Sequence, residues 1–276
     1  MIGSKIALMK TPFRNSSLVA AISLAAVIFA IGRFVFAAES KQARVTEVIH
    51  DVRLLAAQNA ARPAAVNDTV REGTAVRTGT ESRAELTFTD QTLTRLGANT
   101  VFSFGAGVRT YDLGSGAVLM SAPKSAGTVR ITTAVATCAV SGFTAILERH
   151  SNTWNKVLVL EGDGDVWLRR NPNDKRHMHS RQILVFRPNA TVLPQPLEFN
   201  ICNLIGGQGL LINGFAHKLP SWPLLVTECE KQRSQPPTTK LVDPTNQDSI
   251  DQAMNALPTR PPPMVRPTII PSDGRF

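Results

Sequence analysis

Arg169, Arg170, Lys175, Arg176 and Arg181 form the densest basic stretch outside the N-terminus. Cationic side chains at that density suit a phosphate, an acidic glycan or anionic lipid heads, while a solvated loop is the plainer use of the same residues. His177 and His179 lie in the same stretch, with His150 upstream. Imidazole is the commonest neutral metal ligand, and residues two apart on a strand share a face. No cysteine or carboxylate at metal-ligand spacing supports these histidines, and Asn171, Pro172, Asn173 and Asp174 around them suggest a hairpin tip, so no metal site is expected. Gly162-Asp163-Gly164-Asp165 offers two carboxylates to calcium but lacks the repeated oxygen donors of a calcium loop, and reads as a β-turn.

For covalent catalysis the chain has no nucleophile-elbow, zinc-protease, phosphate-loop or dinucleotide pattern. Cys138 belongs to a face of Ala134, Ala136 and Val140, away from any activating cation, so it is expected as a small apolar core group. Trp154, Trp167 and Trp222 are too scattered in sequence to read as one sugar-stacking platform. Cys202 and Cys229 can pair across a loop of moderate length, but the sequence leaves their state open. The expectation is no catalytic centre and no cofactor.

The elements that must carry these residues are mostly strands. Ala84, Leu86 and Phe88 alternate with Glu85, Thr87 and Thr89, giving one inward and one outward face. Short runs of this kind are expected over 44–55, 69–78, 92–96, 100–104, 108–113, 117–121, 129–140, 143–148, 156–160 and 166–169. Gly114-Ser115-Gly116 and Gly162-Asp163-Gly164 read as turns between them. Val157-Leu158-Val159-Leu160 is apolar on both parities and should be a central strand covered on both faces. The fold class is therefore all-β, with a main domain over 44–170. Residues 171–181 read as a polar loop and 183–186 as a last strand, within an irregular lobe over 171–230. Residues 231–276 hold nine of the chain's eighteen prolines and are expected as a disordered tail, because such a composition buries too little apolar area to offset chain entropy.

Residues 1–38 read as a secretion signal or membrane anchor. Lys5, Lys10 and Arg14 precede an uncharged run over 18–32, followed by Val35 and Ala37 at the spacing a signal peptidase accepts. Those 15 residues would span about 22 Å as a helix, short of a hydrocarbon core of about 30 Å. Snorkelling of Arg33 with extension through 34–38 would instead make an uncleaved anchor. The formal charge is +9, of which this segment supplies four with no acidic residue. The remaining surplus is modest, and without an aromatic-basic stripe or a helix-turn-helix pattern it does not indicate nucleic acid.

Arg77-Thr78-Gly79, Ser82-Arg83-Ala84-Glu85-Leu86, Asp90 and Leu93-Thr94-Arg95-Leu96-Gly97-Ala98-Asn99 occur in an order that resembles the FecR-like domain family. Leu113-Gly114-Ser115-Gly116-Ala117, the stretch 131–142, and Val159-Leu160-Glu161-Gly162 with Val166 continue the resemblance. It covers 45–168 and departs from the family pattern at Ala134, Ser141 and Phe143. It implies an extracytoplasmic β structure, a solenoid-like or rolled stack of short strands. The family's best-known members relay iron-uptake signals to a sigma factor through a cytoplasmic helical region. The 17 residues before the apolar run are too few for such a bundle, so that role is not carried over. The resulting expectation is a stand-alone binding or structural module of the bacterial envelope, possible in signalling, with an envelope protein or cell-wall component as partner. The alternative is an envelope hydrolase or carbohydrate-binding protein with an unrecognised site.

Overall fold

The computed structural model describes residues 42–56, 60–105, 109–150, 153–235 and 241–255. The expected signal or anchor over 1–38 lies outside the described residues. Among the described residues, no helix is long and apolar enough to cross a membrane. Among the described residues, fifteen strands form one hydrogen-bonded network. They are β1 (Gln42–Ile49), β2 (Val52–Ala56), β3 (Arg62–Pro63), β4 (Thr69–Arg71), β5 (Thr74–Thr78), β6 (Arg83–Phe88), β7 (Leu93–Leu96), β8 (Val101–Phe104), β9 (Thr110–Ala122), β10 (Thr128–Thr132), β11 (Ala136–His150), β12 (Trp154–Leu168), β13 (Asn171–Met178), β14 (Gln182–Phe186) and β15 (Leu197–Glu198). The main path runs β15-β14-β12-β11-β10-β9-β7-β6-β1-β4, with β2, β3, β5, β8 and β13 attached at its sides. Pairing is antiparallel except between β9 and β10. The protein is all-β with an irregular C-terminal part, as its strand periodicity indicates.

Strand parity divides the core in two. Val118, Met120, Ala145, Leu147, Val157, Val159, Leu184 and Phe186 face one apolar cluster, shared with Phe88, Phe102, Phe104 and Tyr111. Their neighbours Leu119, Ile146, Leu158, Leu160, Ile183 and Val185 face the other way, into a cluster completed by the C-terminal segment. The doubly apolar run at 157–160 is thus buried on both faces, as its sequence required.

β11 and β12 pair along nearly their whole lengths and change neighbours midway. On one side of the change they are flanked by β9 and β14, and on the other by β10 and β13. The change coincides with a register shift at Ser141/Thr144, where Gly142 and Gly162 take φ of +58° and +86°. A Cβ on Gly162 would stand 2.5 Å from the Gly142 carbonyl oxygen. Glycine is required there by both conformation and close approach.

This corrects several local expectations. Gly162-Asp163-Gly164 lies inside β12 and Gly114-Ser115-Gly116 inside β9, so neither is a turn. Positive φ in glycine serves a strand bulge as well as a turn, and the local residues do not distinguish them. The break expected near 141 falls instead at 133–135, which leaves Ala134 exposed off the strand face. The expected loop at 171–181 is largely β13, paired with β12, so the sheet continues past 170 to Glu198.

The C-terminal lobe contains short helical turns α1 (Ile201–Asn203) and α2 (Leu210–Asn213), then α3 (Trp222–Ser234) and α4 (Gln247–Asn255). The Asn200 side chain caps α1 by accepting from the Asn203 amide at 3.0 Å. Cys202 and Cys229 are joined by a disulfide. Gln232 of α3 accepts from the Ile201 amide at 3.1 Å and donates to the Phe199 carbonyl at 2.9 Å. The expected tail is corrected for its described part. Residues 231–234 complete α3, Val242 bridges Phe199, and Val242, Ile250 and Ala253 are buried in the second core. Ile250 and Ala253, three apart, lie on one helix face, which average composition over 231–276 conceals. Residues 256–276 lie outside the described residues.

Candidate functional site

Arg95 fixes the lobe to the sheet. It projects from β7, fully buried, and its Nε donates to Glu85 Oε2 of β6 at 2.8 Å. Its Nη1 donates to the carbonyls of Leu211 at 3.2 Å and Ile212 at 2.8 Å, and its Nη2 to that of His217 at 2.5 Å. The Phe215 ring lies 4.4 Å from the guanidinium carbon. A planar fork with several donors suits this task, for which lysine has the wrong geometry. Glu85 also accepts from Thr46 Oγ1 at 2.8 Å. Nearby, Arg83 donates to the Gly214 carbonyl, and Thr144 and Ser121 meet Ser221 in a buried hydroxyl cluster.

Between the sheet face so covered and the lobe lies a cleft of about 840 Å³. The sheet supplies His50, Glu81, Glu148, His150, Trp154 and Lys156, and the lobe supplies Leu204, Leu210, Pro244 and Ile250. Ile146, Glu148 and His150 alternate along β11, apolar where the lobe covers the strand and polar where the cleft opens. Cross-strand pairing sets Glu148 opposite Lys156 and His150 opposite Trp154. Lys156 Nζ is 2.9 Å from Glu148 Oε2, donates to the Pro244 carbonyl at 3.0 Å and lies 5.1 Å from the Trp154 ring centre. The Trp154 and His150 rings are 4.0 Å apart. The cleft thus presents the exposed His150 ring backed by a buried Trp154, both charges and an apolar wall, while its buried lysine is tied to α4's leading turn. Glu148 and Lys156 are equidistant from the hairpin centre in sequence, a signal that would have paired them.

The basic residues singled out in the sequence do not converge on this cleft. Arg169 and Arg170 are exposed at the turn between β12 and β13, and Lys175 lies 5.3 Å from the Trp167 ring. Arg176 is engaged internally, with Asp174 at 2.6 Å and the carbonyls of Leu193 at 2.7 Å and Pro194 at 3.2 Å. Arg181 faces Glu228 of α3 at 3.7 Å. Two of the five therefore hold the fold, and three remain on the hairpin surface. The histidines also separate, since His150 is in the cleft while His177 and His179 stand beside Asp165 and Asp163. Among the three tryptophans, Trp154 alone lines the cleft. Cys138 is buried, and burial with the nearby Asp165 charge pushes its thiol up to about 12, which suppresses the nucleophilic thiolate.

No curated protein matches the chain. Two crystal structures, at 1.65 and 2.50 Å, of a protein proposed to be an anti-sigma factor from Parabacteroides distasonis ATCC 8503 are similar to it. Both are 14% identical, with TM-scores of 0.40 and 0.41 over 45% and 48% of this chain. The chain spans 59% and 64% of the length of those structures. The FecR protein family matches residues 74–163, from β5 to the Gly162 kink. That stretch, where the chain is similar to FecR proteins, contains the Glu85–Arg95 pair and the sheet wall of the cleft from Thr80 to Lys156.

Proposed function

We propose that the protein is an extracytoplasmic FecR-type binding module of the bacterial cell envelope, which receives part of another envelope component in the cleft between sheet and lobe. The cleft carries the reading. Its volume, about 840 Å³, falls within the range of about 300–1,000 Å³ common for ligand sites. The combination of the exposed His150 ring backed by Trp154, the Leu204 and Leu210 wall and the Glu148–Lys156 pair suits a ligand with both apolar and polar groups. Binding is favoured over hydrolysis because Glu148 and Lys156 are engaged with each other and with Pro244, rather than aimed as a free acid and base. The Cys202–Cys229 disulfide supports export, because such bonds persist in oxidising compartments. The basic and apolar order of 1–38 supports the same location and, if uncleaved, membrane attachment. The FecR domain supports a signalling-related role.

The test places a photo-crosslinking residue at Leu210, which is 63% exposed on the cleft wall, in the full chain expressed in its native envelope. A discrete adduct is expected, reduced at least tenfold by Ala98→Trp, which fills the cleft from its FecR side. An adduct indifferent to Ala98→Trp, or none, rejects the cleft as the binding site. Turnover of cell-wall polymer by the purified protein, abolished by Glu81→Gln or Glu148→Gln, would establish the hydrolase alternative.

A further inference from the structure

Away from the cleft, β12 and β13 bring together four side chains that lie in two separate stretches of sequence. Asp165 pairs in register with His177, and one step further along the same face Asp163 meets His179. The Asp165 Oδ1–His177 Nδ1 distance is 2.9 Å, and the Asp163 Oδ1–His179 Nδ1 distance is 2.7 Å. The two imidazole rings stand edge to face with centres 4.6 Å apart. One ligand atom from each of Asp163, His177 and His179 lies within 4.8 Å of the other two. We propose that Asp163, His177 and His179 form a binding site for a divalent transition-metal ion of the zinc class, with Asp165 orienting His177.

Zinc binds imidazole nitrogen and carboxylate oxygen at about 2.0–2.2 Å, which sets tetrahedral ligand atoms about 3.3 Å apart. The three ligand atoms therefore need to close by at most about 1.5 Å, within reach of side-chain rotation on an exposed hairpin. A carboxylate that accepts from Nδ1–H fixes the tautomer whose Nε2 lone pair faces outward, the usual second partner of a metal-bound histidine. Asp165 is placed to do this for His177. On loading, the Asp163–His179 hydrogen bond is exchanged for two bonds to the ion. Exposed Asp–His pairs contribute little to stability, so the fold does not require this arrangement for itself. Two imidazoles and one carboxylate favour zinc-class ions over calcium or magnesium, which prefer all-oxygen shells. Three protein ligands leave a fourth position for water or for a donor from a bound partner.

The test is calorimetric titration of the tag-free full chain with zinc chloride, and separately with calcium chloride. Saturable binding of one zinc ion per chain is expected, with no calcium binding. His177→Ala and His179→Ala should each weaken zinc binding at least tenfold, Asp165→Asn by about 10–100-fold, and His217→Ala should leave it unchanged. Circular dichroism spectra of all variants should superimpose, since the substituted side chains are solvent-accessible. Absence of saturable zinc binding would overturn the proposal, as would binding that survives the His177→Ala/His179→Ala double substitution or depends on His150 instead.

Discussion

Replacing Arg95 with methionine removes a guanidinium that joins β7 to Glu85 and to three lobe carbonyls, those of Leu211, Ile212 and His217. Methionine approximates the apolar stem, so the loss is mostly polar. Glu85, with its side chain only 7% exposed, keeps the Thr46 hydroxyl but loses its counter-charge. Breaking a buried pair by removing one partner costs about 3–5 kcal/mol, because the other charge stays buried. At about 2–4 °C per kcal/mol for a domain of this size, the melting temperature should fall by roughly 6–20 °C. Urea unfolding of Arg95→Met against the parent chain measures the free energy, and calorimetry the temperature. Limited proteolysis adds a local readout, since cleavage within the lobe should accelerate more than cleavage within the sheet. The double variant Glu85→Leu/Arg95→Met should recover part of the loss, because it no longer buries an unpaired charge. A loss below about 1 kcal/mol, the scale of an exposed ion pair, would refute the assignment of Arg95 as the lobe's anchor.

Reduction of the Cys202–Cys229 disulfide, which closes a separation of 27 residues, should cost about 3.5 kcal/mol by the loop-entropy relation. Thermal melts with and without a thiol reductant measure it, and an unchanged transition would count against the bond. Ending the chain after residue 235 rather than after Asn255 removes the burial of Val242 and Ile250 and should cost about 3–6 kcal/mol at about 1.5–3 kcal/mol per side chain. Equal urea midpoints for the two truncations would contradict that packing. Gly162→Ala places a side chain at φ +86° against the Gly142 carbonyl and should cost at least about 1–3 kcal/mol, read by the same unfolding assay. A neutral result would mean the kink relaxes without glycine.

The sequence made the inner faces of the sheet legible wherever apolar residues followed strand parity. Ala84, Leu86 and Phe88 are buried as their alternation predicts, and so is the two-sided run at 157–160, but Glu85, expected on the outward face, is buried as well, because the lobe covers that face. Strand ends were less legible. Glycine clusters at 114–116 and 162–164 carry the residue chemistry of turns, yet their positive φ serves bulges within long strands. The FecR motif residues were visible, but Arg95's lobe partners lie 116 to 122 positions away, beyond any local pattern. The Asp163–His179 and Asp165–His177 pairs were hidden because 171–181 read as a loop. Once β13 pairs with β12, the register alone sets them opposite each other.

The shared kink in β11 and β12 has a mechanical consequence. Because both strands exchange flanking neighbours there while keeping each other, the hairpin acts as a tie rod spanning two differently braced halves of the sheet. Its His150–Trp154 end opens into the cleft, and its far half carries the Asp163 and Asp165 face. A partner pulling on the cleft end along the strand direction would draw both strands the same way and load in shear the backbone hydrogen bonds that tie the hairpin to its flanking strands, many of them together, instead of peeling them one at a time. The same rod couples the two halves, because a load applied at the cleft passes along β11 and β12 into the strands that brace them beyond the kink.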